Sequence, residues 1–220
     1  MSASPQAAGQ QLLTTTHDEY NALVFVISQY LTKVQTATLV KVVACTNDGG
    51  VTAVGSVDVQ PLVNMKAGDG TIVPHGQIFG LPYLRIQGGA NALILDPQPG
   101  DIGIAVFASR DISSVKANKA QANPGSFRTF DWADGLYLGG VLNGVPTQFV
   151  EFATGGITIT SPTKITLNAP EVDIEASTSV TINSPAITIE GGGTSVDGKV
   201  FLTHTHTGVV SGGADSGPVT

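Results

Sequence analysis

Two histidines, His204 and His206, stand one residue apart in the stretch LTHTHTG (202–208) of a 220-residue chain that holds only four histidines. Neutral imidazole is a common metal ligand. In an extended chain residues i and i+2 point to one side, so both rings share a face. One such strand supplies two ligands, too few for a closed metal site. Three copies on a threefold axis supply six imidazoles, a shell that suits an octahedral ion better than zinc, which usually takes four ligands. Thr203, Thr205 and Thr207 would then face outward. The glycine- and serine-rich TGVVSGGADSGPVT that follows can turn sharply and fold back over the site. Whether the pair does chemistry depends on what precedes it.

What precedes it is a repeat. In GGITITSPTKITLNAPEVDIEASTSVTINSPAITIE (155–190) aliphatic pairs recur at Ile157/Ile159, Ile165/Leu167, Val172/Ile174, Val180/Ile182 and Ile187/Ile189. The steps between pairs are 8, 7, 8 and 7 residues. Each pair flanks one polar residue (Thr158, Thr166, Asp173, Thr181, Thr188), and Pro162, Pro170 and Pro185 fall between pairs, where a missing N–H costs a ladder least. This pattern predicts short strands separated by corners. One thin ribbon has nothing to bury its aliphatic edge against, so burial cannot offset the entropy of ordering it. Three chains wound about one axis would place the aliphatic pairs inside and Thr, Asp and Glu outside.

Upstream, residues 37–152 alternate apolar runs with turns. TLVKVVAC, VGSVDVQPLV, GQIFGLPYLRI, ALILDP, IGIAVFA, LYLGGVL and TQFVEF read as strands. Asp48-Gly49-Gly50, Asp69-Gly70, Pro97–Gly100 and Asn143-Gly144 punctuate them. Such spacing predicts a small antiparallel barrel, with the OB type fitting in size. SSVKANKAQANPGSFR (113–128) lacks periodicity and is expected to be a long exposed loop. Thr16-His17-Asp18-Glu19 matches a capping box, and Tyr20, Leu23, Val24, Ile27, Tyr30 and Leu31 fall at helical spacing, which predicts a helix over about 17–34 with an apolar face that must dock. His17 reads as an exposed polar group in its first turn.

Composition removes other readings. Charged residues are 12% of the chain and the net charge is −7; nucleic acid, which needs a cationic stripe, is not an expected partner. The single cysteine, Cys45, sits in the apolar run VKVVAC and reads as a core thiol. The N-terminus lacks the pattern of a signal peptide, and no run approaches the roughly 18 apolar residues of a membrane span. Gly193–Lys199 has the G-x4-G-K spacing of a phosphate loop, but Val200 stands where Ser or Thr would hold magnesium and VFLTHTH predicts a strand instead of a helix. No G-x-S-x-G occurs. Glu171, Asp173, Glu175 and Glu190 fall on outward or corner positions, and His75 and Trp132 lack an evident catalytic partner. The expectation is that the chain is not an enzyme.

With VQPLVN, GLPYLRIQGG, ALILDPQPGDIGIAVFASRDIS, FRTFDWADGLYLGGV and HTHTG in view, the chain resembles the membrane-piercing central spikes of contractile-tailed bacteriophages, of the short type. The stretch 97–111 is the most specific part of the barrel match, and the resemblance runs from about residue 35 to the end. It implies an all-β fold: an N-terminal tail and helix (1–34), an OB-fold-like antiparallel barrel (35–152), an intertwined trimeric β-helix (153–192) and a pointed metal-binding tip (193–220). It also implies one iron ion, as Fe2+, held per homotrimer by His204 and His206 of three chains. The barrel would sit on the tail tube and baseplate hub proteins. The tip would pierce the host outer membrane on tail contraction, in a virion protein made in the bacterial cytoplasm. A receptor-binding tail fibre or adhesin is a second class, though about 30 residues after the repeat with one Phe make a poor head. The spike of a phage-derived bacteriocin or related injection system would look the same. A β-barrel metalloenzyme would need mixed ligands and an open coordination position.

Overall fold

The computed structural model describes residues 19–66, 71–191, 193–197 and 199–200. They fall into two compact units, one ending at Pro162 and the other beginning at Thr163. In chain order the first unit carries helix α1 (Glu19–Leu31) and strands β1 (Ala37–Cys45), β2 (Ser56–Pro61), β3 (Met65–Lys66), β4 (Ile72–Val73), β5 (Ile78–Pro82), β6 (Ile86–Gly88), β7 (Asn91–Leu93) and β8 (Ile102–Phe107). Helix α2 (Ser113–Asn118), a 3-10 turn (Trp132–Asp134), β9 (Gly135–Gly140), β10 (Phe149–Ala153) and β11 (Gly156–Thr160) complete it. The second unit holds β12 (Ser195–Val196) and β13 (Lys199–Val200).

Five strands form one antiparallel sheet in the order β5-β2-β1-β8-β9. Alternation builds it. On β2, Val57, Val59 and Pro61 are buried and Ser56, Asp58 and Gln60 are half-buried; on β8, Gly103, Ala105 and Phe107 turn inward. Register breaks at Val42/Ala44, Val57/Val59 and Ile104/Ala105 bend the strands, as bulges do. At the second, Gly80 takes φ +66° and donates its N–H to Asp58 Oδ1 at 2.9 Å. The sheet therefore curls into a half-barrel around Val40, Val42, Val57, Val59, Ile78, Leu81, Tyr83, Ala105, Phe107 and Tyr137, with Cys45 and Trp132 packed against this core while only partly buried. Its two edges meet at a parallel bridge between Tyr83 and Tyr137, where Leu84 N–H donates to the Tyr137 carbonyl at 2.7 Å. The contact is short because the neighbouring Pro82 has no N–H with which to extend it.

One expectation needs correction, and two concern faces that the single chain leaves uncovered. The segment 113–128 is not simply an exposed loop. Asp111 Oδ1 accepts the Ser113 N–H at 2.8 Å and starts the six-residue α2, which Lys119 ends in the left-handed region at φ 52°. A helix this short gives no periodic signal. The apolar stripe expected to dock α1 does not dock on its own sheet: Phe25 and Gln29 are the half-buried residues of α1, and Tyr20, Leu23, Ile27 and Tyr30 stay exposed. Finally, no β-helix is seen in the single chain. Ile157 and Ile159 lie in β11, paired with β10, but residues 161–191 form no strand. A ladder needs a neighbouring strand, and among the described residues no strand pairs with this segment.

Candidate functional site

The surface that sets this chain apart is the repeat. All ten of its aliphatic side chains are more than half exposed, from 53% at Val172 to 72% at Leu167. The polar residues they flank, and Glu171, Asp173, Glu175 and Glu190, are exposed as well. One chain thus offers no inside to the Ile, Val and Leu positions, although the sequence separates them from Thr and Asp at every step. Ten exposed aliphatic side chains at regular spacing differ from apolar residues scattered singly over an ordinary surface. The β10–β11 hairpin, with Phe149 paired to Thr160 and Val150 to Ile159, crosses the expected boundary between barrel and repeat.

Five charged groups of the first unit, Arg85, Asp96, Asp111, Arg128 and Asp134, form two clusters of ion pairs. Asp96 lies under the β6–β7 hairpin with its side chain fully buried. It accepts from the Tyr83 hydroxyl at 2.5 Å, from Arg85 Nη2 at 2.7 Å and from the Gly49 N–H at 3.0 Å. The Tyr83 and then the Arg85 hydrogen bonds hold its carboxyl below the ordinary range, against the opposing effect of burial. Arg85 Nη1 also donates to the Thr52 carbonyl at 2.6 Å, so the group ties three loops together. The second cluster joins Asp111, Arg128 and Asp134. Arg128 Nη2 donates to Asp111 Oδ1 and Asp134 Oδ1 at 2.9 Å each, and Ser126 Oγ to Asp111 Oδ2 at 2.7 Å. Asp111 is lowered to about 2, chiefly by hydrogen bonds from the Ser113 hydroxyl and N–H and then Ser126.

A cleft of about 600 Å³ opens between the β6–β7 hairpin and β9, lined by Leu84, Ile86, Leu93, Leu95 and Leu138 among others. The hydroxyl of Tyr137 is buried there with no hydrogen-bond partner among the described residues; burial, and then the nearby Asp101, push its pKa up. The raised pKa keeps this phenol protonated at neutral pH.

His204 and His206 lie outside the described residues, as does His17. His75 stacks edge-on against Trp132 at 4.8 Å, and Trp132 in turn against Phe107 at 4.8 Å, so both rings are packed. The G-x4-G-K stretch contains the β12–β13 pairing, Val196 opposite Lys199, with Asp197 at φ 50°. Among the described residues no helix N-terminus stands there to hold a phosphate. Sequence reasoning did not single out Tyr83, Arg85, Asp96, Asp111, Arg128 or Asp134. A signal existed: the chain has three arginines, and two of them, Arg85 and Arg128, fall among apolar or aromatic neighbours in YLRI and FRTF. No protein-family model matches this chain, and no curated protein matches it in sequence.

Proposed function

We propose that three copies of this chain wind their repeats into one β-helical shaft that serves as the membrane-piercing spike of a contractile phage tail or a related injection device. One observation carries this: the ten aliphatic side chains of 157–189, regular in spacing and all more than half exposed in the single chain. Burying such side chains is worth about 1.5–3 kcal/mol each, and only identical neighbours offer the same 7- and 8-residue spacing as a partner. The strand order β5-β2-β1-β8-β9, with its edges meeting in parallel at Tyr83 and Tyr137, supports reading the curled sheet as an OB-type barrel. That barrel would form the base that sits on the tail tube and hub proteins.

Six imidazoles, from His204 and His206 of three chains, form a donor set that suits a first-row transition ion, with iron as the proposed metal. When bound, the ion would tie three C-termini at a point and keep the tip from splaying under load. Residues of the shaft do the rest. Thr158, Thr166, Thr181 and Thr188 would cover it with short neutral side chains, limiting attraction to a charged surface as it passes the outer membrane. The device is mechanical, and no residue is assigned a catalytic role.

Sedimentation of the untagged chain, with elemental analysis of the same sample, tests the proposal. A trimer mass with one transition-metal ion per three chains is expected. A monomer mass would end it.

A further inference from the structure

The stripe of α1 that faces away from its own sheet has a second property. Within the helix, Tyr20 and Ile27 are seven residues apart, and Leu23 and Tyr30 each follow one of them by three. These are the a and d positions of two heptads, and Val24 and Leu31 widen the seam at e. At 3.6 residues per turn, Phe25 and Gln29 stand about 160° from Ile27, on the far side of the helix. Those two are the half-buried residues of α1, while Tyr20, Leu23, Ile27 and Tyr30 are 48–74% exposed. The side opposite the seam is thus half-buried, and the seam is exposed.

We propose that this seam packs against the same seam of two further copies, forming a short parallel three-helix bundle at the N-terminal end of the assembly. The occupant is argued from sequence and charge. The seam carries no charged side chain, and Glu19 is the one charged residue of the helix, so identical copies meet without like charges in the contact. A broad seam with apolar e positions fits more than two strands better than it fits two. Two heptads are too few to pair in isolation. Chains already joined through the shaft present their helices to each other at an effective concentration on the order of millimolar, which removes most of the association cost. The inference rests on the trimeric reading above and adds to it a second place of contact, far along the sequence from the repeat.

Disulfide trapping in the full chain separates the two. In a Cys45→Ser background, Ile27→Cys places a thiol at a, and Ser28→Cys places one on the outer face; both native side chains are exposed, so neither change removes a core contact. Diamide oxidises paired thiols, and covalent dimers are read on a denaturing gel beside the sedimentation mass. The expected result is a trimer in which Ile27→Cys cross-links about tenfold faster than Ser28→Cys or more, at a rate that does not change with protein concentration. A trimer in which the two variants cross-link alike, as when the seam belongs to another protein's groove, overturns this inference and leaves the shaft standing. A monomer overturns both.

Discussion

Arg128 Nε lies 2.7 Å from Oδ2 of Asp134, and the Asp134 side chain is wholly buried while that of Arg128 is 35% exposed. The guanidinium thus closes a lid over a carboxylate that has no access to water. Asp134 also accepts the Ile112 N–H at 2.9 Å, so the pair locks the chain before α2 to the start of β9. Charge is scarce in this protein, and the three ion pairs of the first unit hold loops to the curled sheet.

Acid should undo these locks. Asp111 is held at about 2, below its ordinary value, and Asp134 and Asp96 are lowered too. A carboxyl with a depressed folded value contributes stability that is complete above the unfolded pKa, about 4, and lost as pH falls toward the folded one. The melting temperature is expected to be flat from pH 7 to 5 and to fall between about pH 4 and 2. Thermal melts followed by circular dichroism check it, and Asp111→Asn should flatten part of the acid limb. A melting temperature that rises on acidification would reverse the sign argued here.

Gly103 is predicted to tolerate no side chain. It is buried on β8 opposite Gly140, and a Cβ there would press into the Gly139 carbonyl and the Tyr137 ring and hydroxyl. Gly103→Ala should destabilise the protein by about 1–3 kcal/mol, the range for an overpacked core, through a lower urea midpoint at unchanged slope.

The shaft is tested by parity. Ile182→Asp should convert the trimer to monomers at micromolar protein, because it would put three carboxylates on a dry axis. Thr181→Asp, one residue earlier and on the opposite side of an extended chain, should leave the sedimentation mass unchanged. Equal behaviour of the two variants would refute inward placement of the aliphatic pairs.

The tip and the shaft are expected to be separable. His204→Ala with His206→Ala should abolish bound metal, measured by elemental analysis, and leave the trimer mass intact. Loss of the trimer in that double variant would mean that the tip organises assembly.

The half-barrel was legible in the sequence because its strands are half-buried: Val57, Val59 and Pro61 alternate with polar neighbours, and one buried face writes a period of two into the chain. The helix was legible for the same reason, though which of its sides the sheet would cover was not. The stripe 20-23-27-30 read as a face that must dock, and only the structure shows that it stays exposed while Phe25 and Gln29 are half-buried. The buried ion pairs were beyond sequence reasoning, since Arg128 and Asp111 are 17 residues apart and their meeting depends on how α2 folds back. By itself the sequence determined the repeat, its aliphatic edge and the histidine pair, because spacing is a property of one chain. The tertiary structure decided that a single chain leaves that edge uncovered: among the described residues, 161–191 form no strand, and the ten aliphatic side chains stay more than half exposed.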